Sequence, residues 1–290
     1  MRPPAHGVRM SSESPRPGWL RVRAPSGRRV EEVWATLARH GLRTVCCEAR
    51  CPNIGECWSA GTATVILLGG VCTRGCAFCS VTAGTPAPPD PTEPDRVARA
   101  AKDLAWRHVV VTSVTRDDLE DGGAEQFARV VRALRRVAPG ATVELLVPDF
   151  GGDVRALRKV VDAAPDILAH NVETVPRLYP VVRREAEYGR SLGLLRRAAG
   201  MRSSLPLKSG LMVGFGETEE EVIAVFRDLF DAGCRSITVG QYLSPSREHL
   251  PVTEYVKPER FDALAAEARR IGFETVLSGP LVRSSYKAGG

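Results

Sequence analysis

A chain of 290 residues, 43% of them hydrophobic, has enough apolar material for one α/β barrel or two smaller domains. No apolar run approaches the roughly 20 residues of a membrane span, and the opening MRPPAHGVRMSSESPRPGWL lacks the apolar core of a signal peptide. These features exclude a membrane protein and lead to the expectation of a cytoplasmic one. The net charge of +6 includes no basic run interleaved with aromatics. Nucleic acid is therefore excluded as a partner, and an acidic protein partner stays open.

Taken in order, residues 1–28 read as a disordered lead-in. Residues 29–40 form a helix closed by Gly41. The stretch 46–58, CCEARCPNIGECW, has no clear periodicity, and residues 29–63 are treated as an N-terminal extension. TVILL at 64–68 reads as a buried parallel strand. The loop VCTRGCAFC follows it, and residues 82–94 are Pro-rich and irregular.

Strands and helices then alternate. Helices are predicted at 93–104, 124–137, 153–164, 174–179, 187–199, 219–232 and 258–271. Strands are predicted at 108–112, 142–147, 167–171, 207–213 and 236–240, and 274–277 reads as a short extended piece. Six strands alternating with helices imply parallel pairing. The expected fold is a partial (β/α)6 TIM-like barrel over 64–278, with the N-terminal extension and a C-terminal segment, 279–290, over its mouth. A doubly wound open sheet is the alternative.

Chemistry in such a barrel collects at the C-terminal ends of the strands. Polar residues recur there: Thr112, Ser113 and Arg116-Asp117-Asp118, then Asn171 and Glu173, then Gly214 to Glu217, then Gln241-Tyr242. Ser113 is equally readable as a helix cap, and His170 as a satisfied polar residue at a strand end.

Seven of the eight cysteines lie between positions 46 and 79. Cys72, Cys76 and Cys79 are spaced x3 then x2; Cys46, Cys51 and Cys57 are spaced x4 then x5. Each triplet offers three thiolates where a cubic iron–sulfur cluster usually takes four, leaving one iron open. Structural zinc needs four closed ligands, commonly paired CxxC knuckles, and only Cys76 and Cys79 form one. Disulfides belong to secreted chains.

CTRGCAFC resembles the cluster motif of radical S-adenosylmethionine enzymes. Together with CCEARCPNIGECW and SGPLVRSSY, it closely resembles the lipoyl synthase family. TSVTRDDLEDGGA, HNVETVPRLY, KSGLMVGFGE and GQYLSPSREHLPV extend the likeness from about residue 30 to 286. Cys47, Gly70 and Gln126 depart from it, standing where the family usually has Glu, Asp and His. Cys47 is expected not to be a ligand, because adjacent residues rarely both reach one cluster.

The resemblance implies a sulfurtransferase that inserts sulfur at the sixth and eighth carbons of protein-bound octanoyl-lysine. It implies two 4Fe-4S clusters and S-adenosylmethionine. Cys72, Cys76 and Cys79 would hold the cluster that cleaves S-adenosylmethionine. Cys46, Cys51, Cys57 and Ser285 would hold a second cluster, the sulfur source. Phe78, Thr112, Ser113, Asn171, Glu173 and Arg183 would surround S-adenosylmethionine, with Lys208 and Gln241 facing substrate or cofactor. Implied partners are octanoylated lipoyl domains or glycine-cleavage H protein, a ferredoxin- or flavodoxin-type electron donor, and an iron–sulfur cluster carrier for repair. A paralogue acting on another substrate and a non-enzymatic metal-binding scaffold are the rival readings.

Overall fold

The computed structural model describes residues 16–22 and 24–288. The expectation for 1–28 therefore falls largely outside the described residues. The strands are β1 (Arg43–Thr44), β2 (Thr64–Leu67), β3 (Val71–Cys72), β4 (Thr82–Ala83), β5 (His108–Ser113), β6 (Thr142–Leu146), β7 (Ile167–Ala169), β8 (Leu207–Val213), β9 (Ser236–Gln241) and β10 (Thr275–Gly279). The α-helices are α1 (Arg28–Arg39), α2 (Val45–Glu48), α3 (Ile54–Ser59), α4 (Glu93–Asp103), α5 (Ala124–Val137), α6 (Val154–Asp162), α7 (Tyr179–Val182), α8 (Tyr188–Met201), α9 (Glu219–Asp231) and α10 (Pro258–Ile271).

The main sheet runs β1-β2-β5-β6-β7-β8-β9-β10. From β2 onward every pairing is parallel and spatial order follows chain order. A doubly wound sheet reverses its order part-way, so this singly wound array decides for the incomplete barrel. It is open, with β1 and β10 as its edges.

Three features differ from the sequence reading. The helix predicted at 174–179 is a single 3-10 turn, Pro176–Leu178, that runs into α7. The extended piece near 274–277 is a seventh parallel strand, β10, in register with β9 over five positions from Thr275↔Ser236 to Gly279↔Gly240. Its alternation is too short to count as a strand until the neighbouring edge is known. In the aperiodic segment, α2 and α3 are each barely a turn or two long, and β1 pairs antiparallel with β2. Helices this short are held by packing rather than propensity: Trp58 of α3 is fully buried, with Trp34 of α1 edge-on at 5.0 Å.

The longer helices begin where the chain supplies start signals. Pro94 and Pro258 sit in the first turns of α4 and α10, and Thr218 with Glu221 makes a complete capping box on α9. The core is one continuous cluster running from Val30 and Trp58 through the strands to Phe261 and Phe273.

Candidate active site

The cluster loop springs from the end of β2. Leu68 and Gly69 both take positive φ (67° and 92°), which turns the chain out of the sheet and across its end. Glu93 accepts a hydrogen bond from the Leu68 amide (3.1 Å), and Gln126 donates to the same carboxylate (3.0 Å), so the turn is braced from α4 and α5.

Beyond the turn, Cys72 Sγ accepts from the amides of Arg74 (3.4 Å) and Thr115 (3.3 Å). Arg74 is buried and holds two carboxylates at once, Asp117 at 2.7 Å and Asp149 at 2.8 Å. It thereby pins the loop to the segments after β5 and β6. The far side is stitched by Ala77 N to Val182 O (3.0 Å), Leu250 N to Ala77 O (3.2 Å) and the His249 ring against Cys79 O (3.0 Å).

The second triplet comes from α2, the turn after it, and α3. Cys46, Cys51 and Cys57 all line the cavity described below. Cys47 does not: its Sγ accepts from Thr44 Oγ1 at 3.0 Å, and Thr44 is the N-cap of α2. Around Gly70, an added Cβ would lie 2.8 Å from Arg43 Nη1. The Arg43 guanidinium thus occupies the space next to the missing side chain and pairs with Glu48 instead (2.9 Å).

The C-terminal tail closes over this corner. Asn53 Nδ2 donates to Leu281 O (2.6 Å), and Glu56 accepts from Tyr286 Oη (2.9 Å) and pairs with Lys287 (3.2 Å). Residues separated by more than 220 positions are thereby joined.

Both triplets, Ser285 and Phe78 line one cavity of about 550 Å³, together with Thr112, Ser113, Asn171 and Glu173. Ser113 Oγ is buried without a partner among the described residues, and so is Arg183 Nε. Arg183 sits just behind the wall, donating to Asn171 O (3.1 Å) and Val172 O (3.2 Å). Glu173 has a positive φ of 65°, and its backbone bridges to Leu211 of β8. Backbone strain of this kind in a non-glycine residue persists where the surroundings enforce it, commonly at functional sites.

Lys208 and Gln241 do not line the cavity, contrary to the expectation that they face substrate or cofactor. Lys208 lies near the start of β8, the end of the strand away from the cluster loop, and pairs with buried Glu144 at 2.7 Å; His108 contacts the same carboxylate at 3.0 Å. Gln241 is fully buried. Its amide donates to the carbonyls of Val213, Tyr242 and Glu254, and its oxygen accepts from Val256 N (2.8 Å). Every polar atom of that side chain is spent on backbone. His170 is likewise a satisfied polar residue: Nδ1 lies 2.8 Å from Val147 O and Nε2 2.9 Å from Ser191 Oγ. A carbonyl can only accept, so the Nδ1 proton is fixed.

Burial dominates the electrostatics. It pushes the thiols of Cys46, Cys51 and Cys76 up, Cys57 to about 11 and Cys79 to about 12. These groups stay protonated until a metal displaces the protons. Burial also pushes the Glu173 carboxyl up, opposed by Arg183 and by a hydrogen bond with Asn171. Three thiols of each triplet lining one open volume suit a cube whose irons alternate with sulfides, each thiolate on a different iron. The orphaned Ser113 Oγ, which lines the cavity, suits a polar molecule beside it.

Several contributors went unassigned in the sequence. Arg74 and Asp149 lie inside the motif and after a strand end, but a single chain gives no signal that they pair. Thr64 and Ser284 look like ordinary strand and tail residues until the tail is seen folded back on β2.

Residues 66–229 match the model of the Radical SAM superfamily, more than half of the chain. Lipoyl synthase from Caldicellulosiruptor saccharolyticus is 54% identical over 276 residues, 95% of this chain and 97% of that one. Lipoyl synthase from Nitratidesulfovibrio vulgaris strain DP4 is 56% identical over 274 residues, covering 94% and 91%. The chain belongs to the lipoyl synthase family. Membership of this family within the radical S-adenosylmethionine superfamily brings a 4Fe-4S cluster and S-adenosylmethionine. The fold agrees: the crystal structure of Streptococcus suis SuiB bound to S-adenosylmethionine superposes with a TM-score of 0.55 at 11% identity. That alignment covers 75% of this chain and half of the SuiB chain. Among the described residues no helix is long and apolar enough to cross a membrane.

Proposed function

We infer that this lipoyl synthase family chain inserts sulfur at the sixth and eighth carbons of an octanoyl chain carried on a lysine of a small protein domain, giving the lipoyl cofactor. The observation that carries the reading is the shared cavity: both cysteine triplets and Ser285 face one volume at the C-terminal ends of the barrel strands.

The target is a C–H bond on an unactivated alkyl chain, and no side-chain base has a pKa near that task. The cofactor must supply the hard step. Cys72, Cys76 and Cys79 would hold the cluster at which S-adenosylmethionine binds, and that pair would supply the hydrogen-abstracting chemistry. The chain's own residues bind, orient and seclude. Phe78 offers an aromatic face for the adenine. Asn171 and Glu173 form a polar corner for the ribose and methionine parts, backed by Arg183, which holds the Asn171 and Val172 carbonyls from behind the wall, with Thr112 and Ser113 on the adjoining strand. Thr112 Oγ1 donates to Leu146 O (2.8 Å), so of these two hydroxyls Ser113's is the one available to a ligand.

Cys46, Cys51, Cys57 and Ser285 hold the second cluster, the sulfur source. A serine oxygen is a harder ligand than thiolate, and the softer iron–sulfur chemistry makes that corner the easiest to surrender. The tail from Val282 to Tyr286 lines the cavity and closes it, keeping water from a reactive intermediate. The carrier is a lipoyl domain or the glycine-cleavage H protein, the electron comes from a ferredoxin- or flavodoxin-type donor, and an iron–sulfur carrier rebuilds the spent cluster.

The test is anaerobic reconstitution with iron and sulfide, followed by mass spectrometry of an octanoyl-lysyl peptide. A mass gain for two sulfur atoms supports the reading. Cleavage of S-adenosylmethionine without any sulfur on the peptide would point to a paralogue with another substrate.

A further inference from the structure

Ser285 reaches the cavity on a tail anchored on both sides of it. Before it, Leu281 is held by Asn53, and Ser284 Oγ donates to Asn171 Oδ1 (2.9 Å); after it, Tyr286 and Lys287 are held by Glu56. None of these anchors touches the Ser285 hydroxyl. Among the described residues the side chain hydrogen-bonded to that oxygen is Thr64, whose Oγ1 donates at 2.7 Å.

Thr64 is buried and is the first residue of β2. Side chains alternate along a strand. Thr64 and Ile66 accordingly line the cavity, and Val65 and Leu67 do not. One residue of the sheet therefore touches a donor assigned to the second cluster, and it lines the same cavity as Cys46, Cys51 and Cys57. A strand paired on both sides, to Arg43–Thr44 and to β5, is a fixed support for it.

We propose that Thr64 is a positioning residue for Ser285, holding its oxygen toward the thiols of Cys46, Cys51 and Cys57 and stabilising it once it has lost its proton to bind iron. This rests on the reading of Ser285 as the fourth donor. A serine hydroxyl releases one proton when it binds iron and regains one from water when the iron leaves. Hydrogen bonds to an ionised acceptor are about twice as strong as neutral ones, so the Thr64 hydroxyl favours the bound state. After the iron departs, the same hydrogen bond to the neutral hydroxyl keeps Ser285 in place for a replacement iron. Thr64 thereby slows iron loss from the one corner that lacks a cysteine.

The experiment is the rate of iron transfer to a ferrous chelator from anaerobically reconstituted holoenzyme, with the EPR signal of the three-iron form as a second readout. Thr64→Val keeps shape and strand preference and deletes the donor; Thr64→Ser keeps the donor. Thr64→Val should lose one iron from the second cluster about tenfold faster or more, the scale of a hydrogen bond to a charged group. S-adenosylmethionine cleavage should be unchanged, and Thr64→Ser should restore the slow rate. Ser285→Ala should release iron at least as fast, and Thr64→Val added to it should change nothing further. If Ser285→Ala itself leaves iron release unaltered, the fourth-donor reading fails. If Ser285→Ala speeds release while Thr64→Val does not, or the two effects add, the fourth-donor reading stands and the Thr64 proposal is overturned.

Discussion

At the scale of single residues, two side chains expected to face substrate or cofactor, Lys208 and Gln241, are engaged within the barrel away from the cavity. Lys208 is the clearest. Its ammonium and the Glu144 carboxylate are both taken out of water, and removing one partner of such a pair leaves an uncompensated charge. Lys208→Met should lower stability by ~3–5 kcal/mol, read as the denaturant midpoint. A substrate-binding role predicts a raised KM at unchanged stability instead. His170 gives a pH test. Burial depresses it from 6.5 to about 4, so the folded state disfavours its charged form. The unfolded chain takes up the proton first, and stability is full above pH 6.5 and falls progressively as pH drops toward 4. His170→Gln should flatten that part of the profile in thermal melts recorded across the window; an unchanged slope would contradict the assignment. Cys47 shows the converse case. Its thiol is engaged by Thr44 and stays outside the cavity, as its adjacency to Cys46 suggests.

At the scale of elements, the tail and the N-terminal extension behave as one closure. The Glu56 contacts lie at the surface and are worth little. The hydrogen bond from buried Asn53 to the half-buried Leu281 carbonyl is the stronger link. Asn53→Ala should cost about 1 kcal/mol, the net worth of one hydrogen bond whose acceptor keeps partial access to water. Limited proteolysis should then cut the tail after residue 281 sooner than in the parent, with the barrel intact; equal protection would refute the closure. This closure explains what could be read in advance. The alternation of apolar strands and amphipathic helices is local, so most element boundaries were legible to within two residues. The cysteine spacing and RSSY were legible too, as motifs. The pairing of β10 with β9, the short helices α2 and α3, and the contacts from Thr64 to Ser285 and from Arg74 to Asp149 depend on long-range packing. A single sequence carries no period for such contacts. Lys208 and Gln241 misled for the same reason: a polar residue in a strand reads alike whether it faces a ligand or a buried partner.

At the scale of the whole molecule, the architecture places two thiol triplets on different supports around one volume. Cys72, Cys76 and Cys79 ride on a loop pinned to the strand ends, and Cys46, Cys51 and Cys57 on an extension clasped by the tail. Separate supports allow separate duties. Cys76→Ala should abolish S-adenosylmethionine cleavage, whereas Cys51→Ala should leave cleavage and stop sulfur insertion. Equal loss of cleavage in two folded variants would show that the duties are not divided.

The central claim is that the second cluster is consumed as the sulfur source, and isotopic labelling tests it most directly. Holoenzyme is reconstituted with heavy-isotope sulfide, freed of excess sulfide, and given an octanoyl-lysyl peptide. The account predicts that both product sulfurs carry the label and that the reaction stops after about one product per chain, the capacity of one sacrificed cluster. Unlabelled sulfur in the product, or sustained turnover with no repair carrier and no free sulfide, would contradict it.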